Sequence, residues 1–171
     1  FKNKEILLMN DINLGGHNWI PIGNQYNPFR GTFNGNGKTI SNMLINDKIF
    51  AQQDLGLFGN AFGSADNPVV IKNFKFINPV IDIQLTLNSA TYMGLLCGSI
   101  DTFSVSDVVI SNGKLMIDDY REGNSTAAFL FGDAGYGFTL INIDAKNIDL
   151  KYVTNNRGIK QISGISPHIV M

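Results

Sequence analysis

Asp54-Leu55-Gly56-Leu57-Phe58-Gly59 is the first of a set of apolar knots bounded by glycine, and its recurrence decides the fold. The knot returns as Tyr92-Met93-Gly94-Leu95-Leu96-Cys97-Gly98 and as Thr126-Ala127-Ala128-Phe129-Leu130-Phe131-Gly132, then fades at Ile162-Ser163-Gly164-Ile165. Aligned on Gly56, Gly94, Ala128 and Gly164, the copies stand 38, 34 and 36 residues apart, a period that belongs to solenoids, propellers and arrays. A unit of that length cannot cover its own apolar face, so successive units must stack. Stacking places Leu57, Leu95 and Phe129 in one inward ladder, with Gly56, Gly94 and Ala128 where a bulky side chain does not fit.

Between the knots the chain reads as short strands. Apolar residues do not recur at helical spacing over any useful length, and 18 glycines together with frequent asparagines interrupt the chain every few positions. Ile6, Leu8, Asn10, Ile12 and Leu14 alternate at period two, as one extended segment would. The same alternation runs through residues 74–76, 80–85, 108–110, 115–117 and 140–150. Turn signals separate them: Gly15-Gly16, Asn27-Pro28, Asn34-Gly35-Asn36-Gly37, Asn67-Pro68, Asn78-Pro79, Asn112-Gly113 and Asn155-Asn156. Asn73-Phe74-Lys75-Phe76-Ile77-Asn78 also lines up with Asp107 to Asn112 and with Asn142 to Asn147. Asn78, Asn112 and Asn147 therefore recur at a constant place. Asparagine tolerates the left-handed backbone region better than any other residue with a side chain, so a corner of each coil is expected there.

At 171 residues the chain fits one domain, 1–171, with 1–50 as N-terminal coils and 51–171 as the repeats, the last cut short near Pro167. Its opening at Phe1 reads as a piece of something longer. Only 16% of residues are charged and the net charge is −1, which argues against the strong field that nucleic acid or an anionic membrane would require. No apolar run reaches the roughly 20 residues of a membrane-spanning helix. Cys97 is the sole cysteine, so no internal disulfide forms, and its apolar neighbours make it a small core side chain.

The order Met9-Asn10-Asp11-Ile12-Asn13-Leu14, Trp19-Ile20-Pro21-Ile22-Gly23, Pro28 to Asn42 and Gly56-Leu57-Phe58-Gly59 resembles the repeats of bacterial surface proteins that carry GLUG-type motifs. The likeness is specific over residues 9–60 and continues by spacing through 92–117 and 126–152. It implies a right-handed parallel β-helix, all-β, in a secreted or cell-surface protein, as in adhesins and in some exported peptidases where the module lies outside the catalytic part. The motif carries no catalytic residue. Ala128 departs from it, standing where the motif has its first glycine.

Three functional readings follow. The first is an adhesive or spacer module without catalysis, binding glycan or protein ligands through exposed faces, with Tyr120, Arg121 and Tyr136 as ligand-binding candidates and no cofactor. The second is a carbohydrate-active β-helix, a polysaccharide lyase or glycosidase, using Asp118, Asp119 and Glu122, with Asp133, Asp144 and Asp149 in the next unit. A glycosidase needs two carboxyl groups about 5–10 Å apart, which residues one coil apart can supply. Against it, Asp118 to Gly123 reads as an ordinary solvated loop. The third is a trimeric phage or viral fibre segment. His17 and His168 stand at opposite ends of the sequence, so no metal site is expected.

Overall fold

The computed structural model describes residues 3–15, 17–46, 54–85, 91–122, 124–154 and 160–164; Gly16, Asn155, Asn156, Ile165, Pro167 and His168 lie outside them. Among the described residues there are strands and no helix. The first coil holds β1 (Lys4–Leu7) and β2 (Ile12–Asn13), and the second holds β3 (Gly31–Ser41), β4 (Leu44–Ile45) and β5 (Phe58–Phe62). The third holds β6 (Val69–Ile77), β7 (Val80–Leu85), β8 (Thr91–Gly94) and β9 (Cys97–Asp101). The fourth holds β10 (Phe103–Ser111), β11 (Lys114–Asp119), β12 (Ser125–Ala128) and β13 (Phe131–Ala134). A last partial coil holds β14 (Phe138–Lys146), β15 (Asp149–Val153) and β16 (Lys160–Ser163).

Like strands stack in parallel into four sheets, in the orders β1-β3-β6-β10-β14, β4-β7-β11-β15, β8-β12-β16 and β5-β9-β13. The fold is a parallel β-solenoid of about three turns, the second to fourth coils, flanked by the less complete first and last coils. Val69 pairs with Phe103 and Phe103 with Phe138, so these windings take 34 and 35 residues, against 38 from Thr32 to Val70 and 27 from Lys4 to Gly31. The expected single strand over residues 6–14 is instead two strands, β1 and β2, that pair with opposite ends of β3.

Two asparagine positions turn the chain. Asn42, Asn78, Asn112 and Asn147 all have φ of 54–57°. Their side chains form a ladder in which each Nδ2 donates to the Oδ1 of the previous coil: Asn147 to Asn112 (3.1 Å), Asn112 to Asn78 (3.2 Å), Asn78 to Asn42 and Asn42 to Asn13 (both 3.0 Å). A second left-handed residue bends each long strand in its middle: Asn73, Asp107 and Asn142, at φ 61°, 55° and 52°. Side-chain parity resets there, so that Ile71 and Phe74 both face the core, as do Val105 and Val108. Asn34-Gly35-Asn36-Gly37, which reads as a turn, is the same bend inside β3. Asn34 pairs with Lys72 and Lys38 with Phe74, leaving three residues opposite Asn73 alone.

The apolar knots join the two short sheets of each coil. Leu57 N–H donates to Leu95 O (3.0 Å), Leu95 N–H to Phe129 O (3.2 Å) and Phe129 N–H to Gly164 O (3.1 Å), so the expected column forms. Leu57 and Leu95 are buried and Phe129 is half-buried against the core. Register pairs Ala128 with Ser163, so Gly164 falls one residue later than the sequence alignment places it. The glycines at both ends of the knot answer to backbone crowding. A Cβ on Gly94 would lie 2.5 Å from Cys97 O and press on Leu130 O of the next coil, while one on Gly98 would lie 2.6 Å from Leu55 N. The short sheets therefore touch through bare backbone.

Each buried Leu or Phe of these columns contributes about 1.5–3 kcal/mol relative to exposure, which a displaced backbone would forfeit. Gly94→Ala is expected to destabilise the fold by about 1–3 kcal/mol. Urea unfolding measures this as a lower midpoint at unchanged slope, and an unchanged midpoint would contradict the crowding argument.

Candidate functional site

Alternation along β11 turns Leu115, Ile117 and then Asp119 inward. Asp119 pairs in register with Leu85, a core residue, so a carboxylate occupies a place where the previous coil has a leucine. Beyond it the loop returns Arg121 to the same interior, and β12 opens with Ser125 facing Thr91 of the coil before. Arg121 donates through its backbone N–H (3.1 Å) and Nε (2.9 Å) to Asp119 Oδ1, through Nη2 to Oδ2 (3.3 Å) and through Nη1 to Thr91 Oγ1 (3.2 Å). Asp119 Oδ2 also accepts from Ser125 Oγ and from Tyr152 OH (2.6 Å), and these two hydroxyls stand 2.7 Å apart. Burial, then the bond to the Asp119 carboxylate, pushes the Tyr152 phenol far above its ordinary pKa, so it remains a donor.

Asp119 is 0% exposed and Arg121 3%. Their chemistry is directed at each other: the guanidinium neutralises the carboxylate, and the hydroxyls of Thr91, Ser125 and Tyr152 bond to the pair. The cluster joins the third, fourth and last coils through Thr91, Asp119 and Tyr152.

The sequence-flagged residues divide by parity. Asp118 points outward between Gln84 and Val153 of the adjacent coils, opposite in facing to Asp119, and Glu122 is exposed. The three carboxyl groups of the enzymatic reading thus share no face. The solvated loop expected over residues 118–123 describes Asp118, Tyr120 and Glu122, but Asp119 and Arg121 are interior, and Gly123 lies outside the described residues. Extending the alternation of Leu115 and Ile117 by two residues would have revealed Asp119. Tyr120 and Tyr136 are exposed at different corners, the first after β11 and the second before β14, and Arg121 joins neither. Asp144 pairs with Lys146 at the surface (2.7 Å). Among the described residues, no three His, Cys, Asp or Glu side chains gather as a metal site. Cys97 is fully buried, and burial raises its thiol pKa well above the usual value, which favours the unreactive thiol.

A second polar group escaped the sequence reading. Asp54, opening the first knot, accepts from Asn60 Nδ2 (3.0 Å) and from the backbone N–H of Tyr92. Burial raises its pKa above the 3.8 of a free side chain and outweighs those two bonds, with the negative charge of Asp133 adding to the rise. Asn60, Ser99 and Asp133 lie in one row across β5, β9 and β13. The signal was present in the composition of the knot, an aspartate beside two glycines and three apolar residues, but its burial depends on the stacking of β9 over it.

No protein family, no curated protein and no solved structure matches the chain. The site is therefore interpreted from its own geometry.

Two outcomes follow. Asp119→Asn leaves Arg121 buried against a neutral partner and is expected to cost about 3–5 kcal/mol, of which Asp119→Leu combined with Arg121→Met recovers part; urea denaturation of the three proteins measures both. Asp54 has its folded pKa raised, so its favourable contribution is complete below the unfolded pKa and declines as pH rises through the folded one. The stability of Asp54→Asn relative to the parent should accordingly increase from pH 3.5 to pH 7. A difference that is flat, or that falls with pH, would refute a raised pKa.

Proposed function

We propose that the chain is a non-catalytic adhesive or spacer module of the GLUG type, from a secreted or cell-surface protein, that binds its ligand through exposed corners of the solenoid. The observation that carries this reading is the burial of Asp119 and Arg121, the pair best suited to chemistry, which bond to each other and, among the described residues, to Thr91, Ser125 and Tyr152. An enzyme of this shape needs carboxyl groups converging on a groove, with pKa values set for proton transfer. Here Asp119 is turned inward and bonded to a guanidinium, Asp118 faces the opposite side of β11, and Glu122 is exposed.

The fold suits a spacer in mechanical terms. Backbone bonds run from coil to coil along four sheets, so extension along the axis loads many parallel hydrogen bonds together. The glycine and asparagine positions of the motif acquire a physical reason here, which supports the GLUG resemblance: the glycines permit backbone contact and the asparagines build corners. The extracellular setting comes from that resemblance.

Incubation with a panel of neutral and uronate-containing polysaccharides, assayed for reducing ends and for unsaturated products, is expected to show no turnover. Turnover that Asp118→Asn or Glu122→Gln abolishes in a folded protein would overturn the proposal in favour of a carbohydrate-active enzyme.

A further inference from the structure

The solenoid has a corner where the β5-β9-β13 sheet hands over to the long sheet. It carries three hollows in a row, each with an exposed aromatic ring. The first, about 430 Å3, is lined by Gly23, Tyr26, Asn27, Phe29 and Arg30. The second, about 420 Å3, is lined by Lys4, Arg30, Thr32, Phe62, Ser64 and Asn67. The third, about 440 Å3, is lined by Pro68, Thr102, Ser104, Tyr136 and Thr139. Arg30 is the wall between the first and second, and Pro68 the wall between the second and third.

We infer that this corner binds an extended glycan chain, one aromatic-faced subsite per hollow; the inference rests on the adhesive reading above and names its site and ligand class. Tyr26 is 82% exposed, Tyr136 92% and Phe62 37%, so each hollow has an aromatic side chain open to solvent. Each is nevertheless fixed by its backbone. Tyr26 N–H and Asn27 N–H both donate to Asn24 Oδ1, Phe62 N–H donates to Phe29 O (3.0 Å), and Tyr136 O accepts from Thr102 N–H (3.2 Å). Ordering such platforms on binding costs little, because two side-chain torsions are all that remain free.

The row follows the axis. Phe29 stacks on Phe62, Gly63 on Asp101, and Thr102 on Tyr136 through backbone hydrogen bonds. Tyr26 and Phe62 stand one coil step apart and Phe62 and Tyr136 two, the third coil passing between them with Thr102, so at about 4.8 Å a step the rings span about 14 Å, the reach of a short oligosaccharide. A packed floor of phenylalanines keeps the spacing, with Phe29 and Phe58 rings 5.0 Å apart and Phe103 and Phe131 rings 5.1 Å apart.

The lining selects the class of ligand. A pyranose offers C–H faces to aromatic rings and hydroxyls to Thr32, Ser64, Asn67, Thr102, Ser104 and Thr139. A protein partner would call for a contiguous apolar centre depleted of charge, whereas Lys4, Glu5, Arg30 and Asp66 intervene here. Both signs are present, which disfavours a polyanion such as nucleic acid.

The test uses the 171-residue protein on a glycan array, followed by calorimetric titration with a soluble oligosaccharide of the retained type. Tyr26→Ala, Phe62→Ala and Tyr136→Ala are expected to weaken binding about fivefold or more each, their combination to abolish it, and Met9→Ser, exposed on another corner, to leave it unchanged. The monosaccharide should bind far more weakly than the oligosaccharide. Circular dichroism checks that each variant is folded. Retention of no glycan, or retention that the triple variant leaves intact, would overturn the inference while leaving the non-catalytic reading standing. Capture of a protein through the same three rings would overturn the ligand class. Cleavage of the bound glycan would instead count against the proposed function.

Discussion

Each winding closes only where a residue accepts a left-handed backbone, and everything else in the structure depends on that closure. Asn42, Asn78, Asn112 and Asn147 meet the requirement at one corner, and Asn73, Asp107 and Asn142 in the middle of the long strands. Glycine would accept the same dihedral angles but would add no bond. Asparagine supplies an amide that reaches the coil before, so the residue that bends the chain also fixes its height relative to its neighbour. With the corners fixed, parity determines which residues face inward, and columns such as Phe33-Ile71-Val105-Leu140 and Ile45-Ile81-Leu115-Leu150 form without further instruction.

The Asp119 cluster sits where that scheme is interrupted. Leucine would fill the place, as Leu85 does one coil earlier. A carboxylate there requires Arg121, and Arg121 requires Thr91, so the loop between β11 and β12 can take only a path that returns the guanidinium to the interior. The network is best understood as a geometric constraint on that loop, since a buried ion pair adds little net stability over an apolar equivalent. The Asp54 group differs in kind. Its carboxylate gains two hydrogen bonds but stands near another acid with no cation bonded to it among the interactions described, and so its burial is felt as a raised pKa.

The repeat, the strand content and the corner asparagines were legible in the sequence because each is local or periodic. Glycine at both ends of Gly94-Leu95-Leu96-Cys97-Gly98 marked a tight contact before its partners, Leu130 and Leu55, were known. Less legible was anything that depends on parity across a bend. Asn34 to Gly37 carries every turn residue yet lies inside one strand, since the solenoid needs a bend there and not a reversal. Asp119 and Arg121 resembled a solvated loop because charge is a good guide to exposure only when no second charge can be brought to meet it. The row of Tyr26, Phe62 and Tyr136 was invisible for another reason: the first two lie one winding apart and the last two lie two windings apart, with Thr102 at the corner between, so no ring recurs at every period and only stacking aligns them.

The amide ladder has a further property. Its links are alike, each a side-chain nitrogen from one winding given to a side-chain oxygen of the last, and all run in the same sense. A ladder of this kind is indifferent to how many rungs it has. Copying one complete winding at this corner would reproduce the same rung on either side of the join, so the ladder sets no limit on the length of such a rod; that limit comes from non-repeating contacts between particular coils, such as Arg121 with Thr91 and Tyr152 with Asp119.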